Sequence, residues 1–166
     1  MLGWGMPGKQ SAGILMYRFQ DSQLQVLLVQ PGGPFWAKKD AGAWSIPKGE
    51  FAEGEDPLDA AKREFREETG CAIDAALIPL RPLKQRGGKL VYAWMVEGNC
   101  DPAAINSNIF TIEWPPRSGH RQEFPEVDRA GWFPINEAAA KLLMGQRGFL
   151  EELSRNLTNS EPQSSE

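Results

Sequence analysis

The chain has 166 residues, a formal charge of −4 and a pI near 5.2. That length is most simply a single domain with a core of its own. The acidic balance argues against general nucleic-acid binding through a basic surface, so nucleic acid is not the expected partner, although a local basic pocket for a phosphorylated small molecule is compatible with it.

Residues 1–9 are turn formers and read as a loose lead-in. Residues 11–19 and 24–30 are apolar and β-prone around Gln20, Asp21, Ser22 and Gln23, which predicts a hairpin. Residues 31–44 are too rich in Gly and Pro for regular structure; with Phe35, Trp36, Lys38 and Lys39 they either line a binding site or pack two aromatics onto the domain. Asp56 is a natural N-cap, Pro57 suits the first helical position and Gly70 suits a left-handed stop, which predicts a helix between them. Residues 72–80 and 90–96 read as strands, with a turn at residues 85–88 before the second. Lys89 and Tyr92 either face a substrate or, for Lys89, protect a strand edge.

Residues 98–125 are too interrupted for a long element and read as a functional excursion, with one helical turn at 101–105 and a short strand at 109–114 stopped by two prolines. Residues 127–133 read as a strand, and 135–144 and 146–157 as helices. One domain over 1–157 with a disordered tail over 158–166 is expected, without repeat or linker. No apolar run is long enough to span a membrane and no signal peptide is evident; with Cys71 and Cys100 as the only possible pair, a reducing cytoplasm and structural cysteines are expected. His120 is the single histidine, which leaves Cys-His or Ser-His-acid mechanisms little to work with.

The chemistry concentrates in the helix. Leu58, Ala61 and Phe65 share an apolar face, and Glu64, Glu67 and Glu68 crowd the adjacent one. Such an arrangement is either a solvated acidic face or, with a backbone carbonyl from the Gly-containing loop before it, an oxygen-rich site for a hard cation such as Mg2+ or Mn2+. Arg63 can brace a neighbouring carboxylate without taking the metal position.

Gly49, Glu55, Arg63-Glu64, Phe65, Glu67-Glu68, Gly70 and Cys71 match every fixed position of G-x5-E-x7-R-E-U-x-E-E-x-G-U, so residues 49–71 resemble the Nudix box. Cys71 is a small apolar residue where a larger aliphatic one is usual. The resemblance implies an α/β fold, the Nudix α/β/α sandwich, with a mixed sheet between the box helix and the C-terminal helices. It implies hydrolysis of a nucleoside diphosphate linked to another group, with divalent cations held by the Lys48 carbonyl, Glu64, Glu67 and Glu68. Glu64 and Glu126, six residues before Trp132, are the two candidates for general base, and Glu126 also for metal ligand; Glu123 competes with Glu126. Arg63 is expected to orient Glu64, and Glu55 to order the loop.

The segment Trp44-Ser45-Ile46-Pro47-Lys48-Gly49 and the start Ser11-Ala12-Gly13 are similar to the diadenosine tetraphosphate hydrolases. The chain also looks like predicted nucleoside triphosphate pyrophosphohydrolases with this domain. Trp36, Lys38, Lys39, Lys48, Lys89, Tyr92, Trp114 and Arg117 are the candidate substrate contacts, cations for phosphates and aromatics for a base, with Arg121 a further cation. A small-molecule dinucleoside polyphosphate is therefore the expected substrate, with a nucleoside triphosphate next. A nucleotide-sensing module without turnover and RNA 5′-end hydrolysis are the other readings; no box carboxylate is missing, and no basic extension serves RNA. Monomer and homodimer both stay open.

Overall fold

A computed structural model of the chain describes residues 10–105 and 107–159. The expected lead-in over 1–9 and the tail beyond Asn159 lie outside those residues. The elements run β1 (Gln10–Gln20), β2 (Gln23–Pro31), β3 (Lys48–Glu50), α1 (Pro57–Thr69), β4 (Ile78–Pro79), β5 (Leu83–Lys84), β6 (Leu90–Glu97), β7 (Ile109–Glu113), β8 (Arg121–Pro125), β9 (Val127–Pro134), α2 (Ile135–Lys141) and α3 (Arg147–Asn159).

The first hairpin is as expected. Asp21 and Ser22 link its strands, both with positive φ (54° and 67°), the geometry whose twist suits a two-residue turn. The main sheet has the order β4-β6-β1-β2-β9, with β1 and β6 parallel and the other pairs antiparallel. Its central strand β1 is buried on both faces from Ser11 to Tyr17, as a strand covered by helices on both sides must be. Ala12, Ile14 and Met16 pack toward Ala60, Ala61 and Phe65 of α1. Leu15 and Tyr17 pack the other way, with Leu142, Phe149 and Leu153 from the C-terminal helical region. Phe65 is wholly buried, which stabilises the position of α1 by roughly 1.5–3 kcal/mol. The result is the α/β/α sandwich that the resemblance implied.

One edge of β1 serves two partners. Residues Tyr17 to Gln20 pair with β2, whereas Ser11 to Gly13 pair with β3. The sheet is therefore split beyond the hairpin: the segment leading into β3 enters between β2 and β1, held by two backbone bonds between Val29 and Ser45 (2.8 Å each) and by the Ile14 N–H on Pro47 O (3.1 Å), and a cleft opens beside it. A bulge between Gln30 and Pro31 in the β2–β9 ladder falls beside the same opening.

Three expectations are corrected. Of residues 72–80 only Ile78–Pro79 is a strand, because Pro79 has no N–H to extend the ladder and Pro82 follows. Residues 98–125 hold more order than expected: the turn Pro102–Ala104 is present, but β7 and β8 form a two-stranded arm apart from the main sheet, in register from Ile109↔Pro125 to Glu113↔Arg121. The helix expected to reach residue 144 stops at Lys141, where the chain turns to pair with Trp44: Trp44 N–H donates to Lys141 O (2.9 Å) and Leu143 N–H to Trp44 O (2.8 Å). A 3-10 turn, Met144–Gln146, then leads into α3, which continues through Asn159.

Cys71 and Cys100 are joined by a disulfide, which ties the residue after the helix stop Gly70 to the segment that follows β6. Among the described residues no helix is long and apolar enough to cross a membrane.

Candidate active site

Capping fixes where the acidic face begins. The Asp56 side chain accepts from the Asp59 N–H (3.0 Å), Pro57 opens the helix, and Gly70 closes it in the left-handed conformation with its N–H on Arg66 O. With the ends set, Glu64, Glu67 and Glu68 fall on the side turned toward β3. Glu68 is buried and accepts from the Lys48 N–H (3.2 Å), which joins α1 to the entry of β3.

Gly49 lets this happen. It has no side chain, and a Cβ there would fall inside contact distance of the Glu64 carboxylate. Gly49→Ala is expected to displace Glu64 and to cut turnover about 100-fold while the protein still folds, as steady-state kinetics beside a circular-dichroism melt would show.

Arg63 is the hub of the box charges. Its guanidinium bonds to Glu55 and to Glu64 (3.0 Å), and its Nε lies 3.9 Å from Glu67. Glu55 also accepts from the Ala52 N–H (3.4 Å), so it orders the loop before the helix. Burial raises the Glu64 carboxyl above the ordinary carboxylate range, with Arg63 opposing and Glu67 and Glu126 adding to the rise. Burial pushes Glu68 up to about 8, and the charge of Glu64 adds to it. Burial and the nearby Lys89 hold the Lys48 ammonium below the ordinary lysine range.

The cleft left by the split sheet lies against these groups. A cavity of about 200 Å3 is lined by Val29 and Pro31 from β2, Ser45, Ile46 and Lys48 from the entry of β3, Trp36, Glu68, and Glu126 and Val127 at the start of β9, with Leu143. A larger groove of about 390 Å3 behind α1, lined by Lys62, Arg66, Gly70, Cys71, Ala72, Ile73, Ala75 and Leu77, has no carboxylate in its wall.

The structure thus brings together Trp36, Lys48, Glu68 and Glu126 in the lining of one cavity, with Glu64 beside them. Glu123 lines a separate groove with Ile109 and Phe124. Lys38 and Lys39 are exposed on the loop, and the Lys39 ammonium sits 5.5 Å from the centre of the Trp36 ring. Lys89 pairs with Glu50 (3.3 Å). Tyr92 is turned to the α1 face, where it meets Phe51 edge-on, and its hydroxyl accepts from Gln10 Nε2 (3.4 Å). Trp114 and Arg117 belong to the β7–β8 arm, and Trp114 packs edge-on against Phe35 with ring centres 5.3 Å apart.

Two glutamines that sequence reasoning missed pin the cavity walls. Gln146 is fully buried; it accepts from the Ile46 N–H (3.0 Å) and donates to the Ser45 hydroxyl (3.0 Å). Gln30 anchors the loop that carries Trp36.

The donor set suits a divalent cation. It is all oxygen, from carboxylates and the Lys48 carbonyl, as a hard cation requires. A buried carboxyl pushed to about 8 also marks a place short of positive charge. Among the described residues, no three carboxylate, histidine or cysteine side chains already converge as a closed metal site.

Comparison with known proteins places the chain. The family model described as NUDIX domain matches residues 8–153. An RNA pyrophosphohydrolase of Rhizobium meliloti (strain 1021) is 33% identical over 127 residues, which is 66% of this chain and 70% of that protein. One of Brucella anthropi is 32% identical over 127 residues, covering 66% and 67%. Among solved structures, a C. elegans Ap4A hydrolase binary complex is similar with a TM-score of 0.64 and 21% identity, over 91% of this chain and 98% of that one. The NUDIX domain of Shewanella oneidensis NrtR complexed with ADP ribose gives 0.62 and 18%, over 91% and 88%.

Proposed function

This chain belongs to the Nudix family and is a pyrophosphohydrolase, and we propose that it hydrolyses a phosphoanhydride bond of a dinucleoside polyphosphate, diadenosine tetraphosphate or a relative of it, with Mg2+ or Mn2+. The observation that carries this reading is the cavity whose lining holds Trp36 and Lys48 together with Glu68 and Glu126. It offers a ring for a base and a cation for phosphate beside the box carboxylates.

The Lys48 carbonyl, Glu64, Glu67, Glu68 and Glu126 are the groups that would hold the cation. When bound, a divalent ion neutralises polyphosphate oxygens and acidifies water. Lys48 draws the phosphates in, with Lys38, Lys39, Lys89 and Arg117 as outer cations, and Trp36 stacks on a base, with Tyr92 and Trp114 as further aromatic contacts. Glu64, held by the Arg63 guanidinium (3.0 Å), takes the proton of the attacking water at a carboxylate oxygen. Arg63 acts as a positioning residue through its bond to Glu64. On this assignment Glu64→Gln cuts kcat far more than it weakens metal binding, whereas Glu126→Gln weakens metal binding and rate together, as calorimetric titration beside kinetics would distinguish. The reverse pattern would move the base to Glu126.

A second reading has its own support: the Rhizobium and Brucella relatives are named RNA pyrophosphohydrolases. The bond class is the same, and the difference lies in what is attached to the polyphosphate. Rates on diadenosine polyphosphates, nucleoside triphosphates and 5′-triphosphorylated RNA, with products separated by chromatography, decide between them. ATP plus AMP from diadenosine tetraphosphate at the highest kcat/KM supports our reading, and preference for the RNA overturns it. The expected setting is cytoplasmic; the Cys71–Cys100 disulfide is the feature of the structure that favours an oxidising compartment instead.

A further inference from the structure

We infer that Gln30 is the positioning residue that, oriented by Arg129, fixes the turn over Trp36 to Lys39 beside the cavity and thereby sets substrate affinity. The inference rests on the reading of Trp36 as a substrate contact. Gln30 is only 2% exposed although it is a polar residue at the end of a strand, and each end of its amide has a partner. Its Oε1 accepts from Arg129 Nε (2.8 Å), across the ladder from β9. Its Nε2 donates to the carbonyls of Trp36 (3.3 Å) and Lys39.

The chemistry of the partners makes the fit specific. A guanidinium has only donors and a backbone carbonyl only acceptors, so the group between them must offer an acceptor at one end and two donors at the other. Of the side chains of this length, only glutamine does so. Arg129 decides which way the amide faces, and its own guanidinium is held over the Trp44 ring at 5.2 Å. The next residue of the loop, Asp40, is tied independently: its carboxylate accepts from Trp44 Nε1 (2.9 Å) and Lys141 Nζ (2.6 Å).

Between these two ties, a loop composed largely of Gly, Pro and Ala is held in one conformation, and Trp36 is presented to the cavity before substrate arrives. Its fixed place lowers the ordering cost of binding, which is felt in affinity rather than in the chemical step at Glu64 and Glu68.

The decisive variant is Gln30→Glu, which keeps the shape and the bond to Arg129 but turns an oxygen onto two carbonyl oxygens. Hydrogen exchange of the full-length protein, without substrate, is expected to quicken about tenfold at the amides of residues 36–43 while β1 and α1 keep their protection. On whichever nucleotide the wild type hydrolyses, KM is expected to rise about tenfold with kcat within about threefold, and Trp36→Ala added to Gln30→Glu is expected to raise KM no further. Arg129→Met, which removes the orienting donor, should change the same quantities in the same direction if Gln30→Glu does not fold. Unchanged exchange at residues 36–43, full additivity with Trp36→Ala, or a fall in kcat at constant KM would overturn the inference. A wild type silent on dinucleoside polyphosphates would count against the proposed substrate alone, because the exchange measurement reads the anchor without any substrate.

Discussion

Glu67→Gln or Glu68→Gln is expected to lower turnover by on the order of 10^3-fold or more while leaving the fold intact. Neither negative charge is needed to hold α1 in place. The helix is set by its caps and by Ala60, Ala61 and Phe65 against β1. Glutamine at position 68 also keeps an oxygen for the Lys48 N–H. What each change removes is a negative oxygen donor from a set that has no histidine or cysteine to replace it. Steady-state kinetics with Mg2+ and with Mn2+, beside far-UV circular dichroism, reads both halves of the expectation. A double variant that is folded and active would mean that the cation is held elsewhere.

The second large effect has the opposite sign. The buried Glu68 carboxyl keeps its proton to about pH 8 in the folded, metal-free protein, whereas the unfolded chain releases it near the ordinary glutamate value. The folded state therefore binds more protons between these limits, and its stability must fall as pH rises through that window. The loss is on the order of 3–5 kcal/mol by pH 8. Glu64, also raised by burial, acts in the same direction. Glu68→Gln removes the Glu68 contribution, so in the presence of a chelator its Tm should equal that of the wild type near pH 4.5 and exceed it by roughly 10 °C at pH 8. A difference in Tm that does not grow with pH would show that Glu68 is not held protonated by burial. Charge at position 68 thus costs the folded protein stability, and a cation held there would offset that cost.

Much of this site could be read from the chain alone because its determinants are local. Asp56, Pro57 and Gly70 define the ends of α1, and the spacing from Gly49 to Gly70 places Glu64 and Glu68 together whatever the rest of the fold does. Trp36 and Lys48 line the same cavity as Glu68 and Glu126, since short chain segments tie each of them to the box or to the loop before it.

What the chain alone did not reveal depends on long-range partners. The face on which Tyr92 lies is set by the register of β6 on β1, in which Ala12 stands beside Tyr92, and that register is fixed by strands 80 residues apart in sequence. The cleft exists because β1 shares one edge between β2 and β3, a property of pairing rather than of any one segment. The arm of β7 and β8 was obscured by Pro115, Pro116 and Gly119 at its tip, and α2 ended early because Trp44 captured Leu143. Gln30 and Gln146 look like ordinary surface residues in the sequence, and only burial reveals that each satisfies backbone groups on a cavity wall.

The most direct measurement is turnover of diadenosine tetraphosphate in 18O-labelled water with Mg2+ or Mn2+, with products analysed by mass spectrometry. Attack of one water on one phosphorus predicts ATP and AMP in equal amounts, with a single 18O in only one of the two, and no reaction when the cation is chelated. Unlabelled products, or no turnover of diadenosine tetraphosphate by folded protein that binds the cation, would contradict the account.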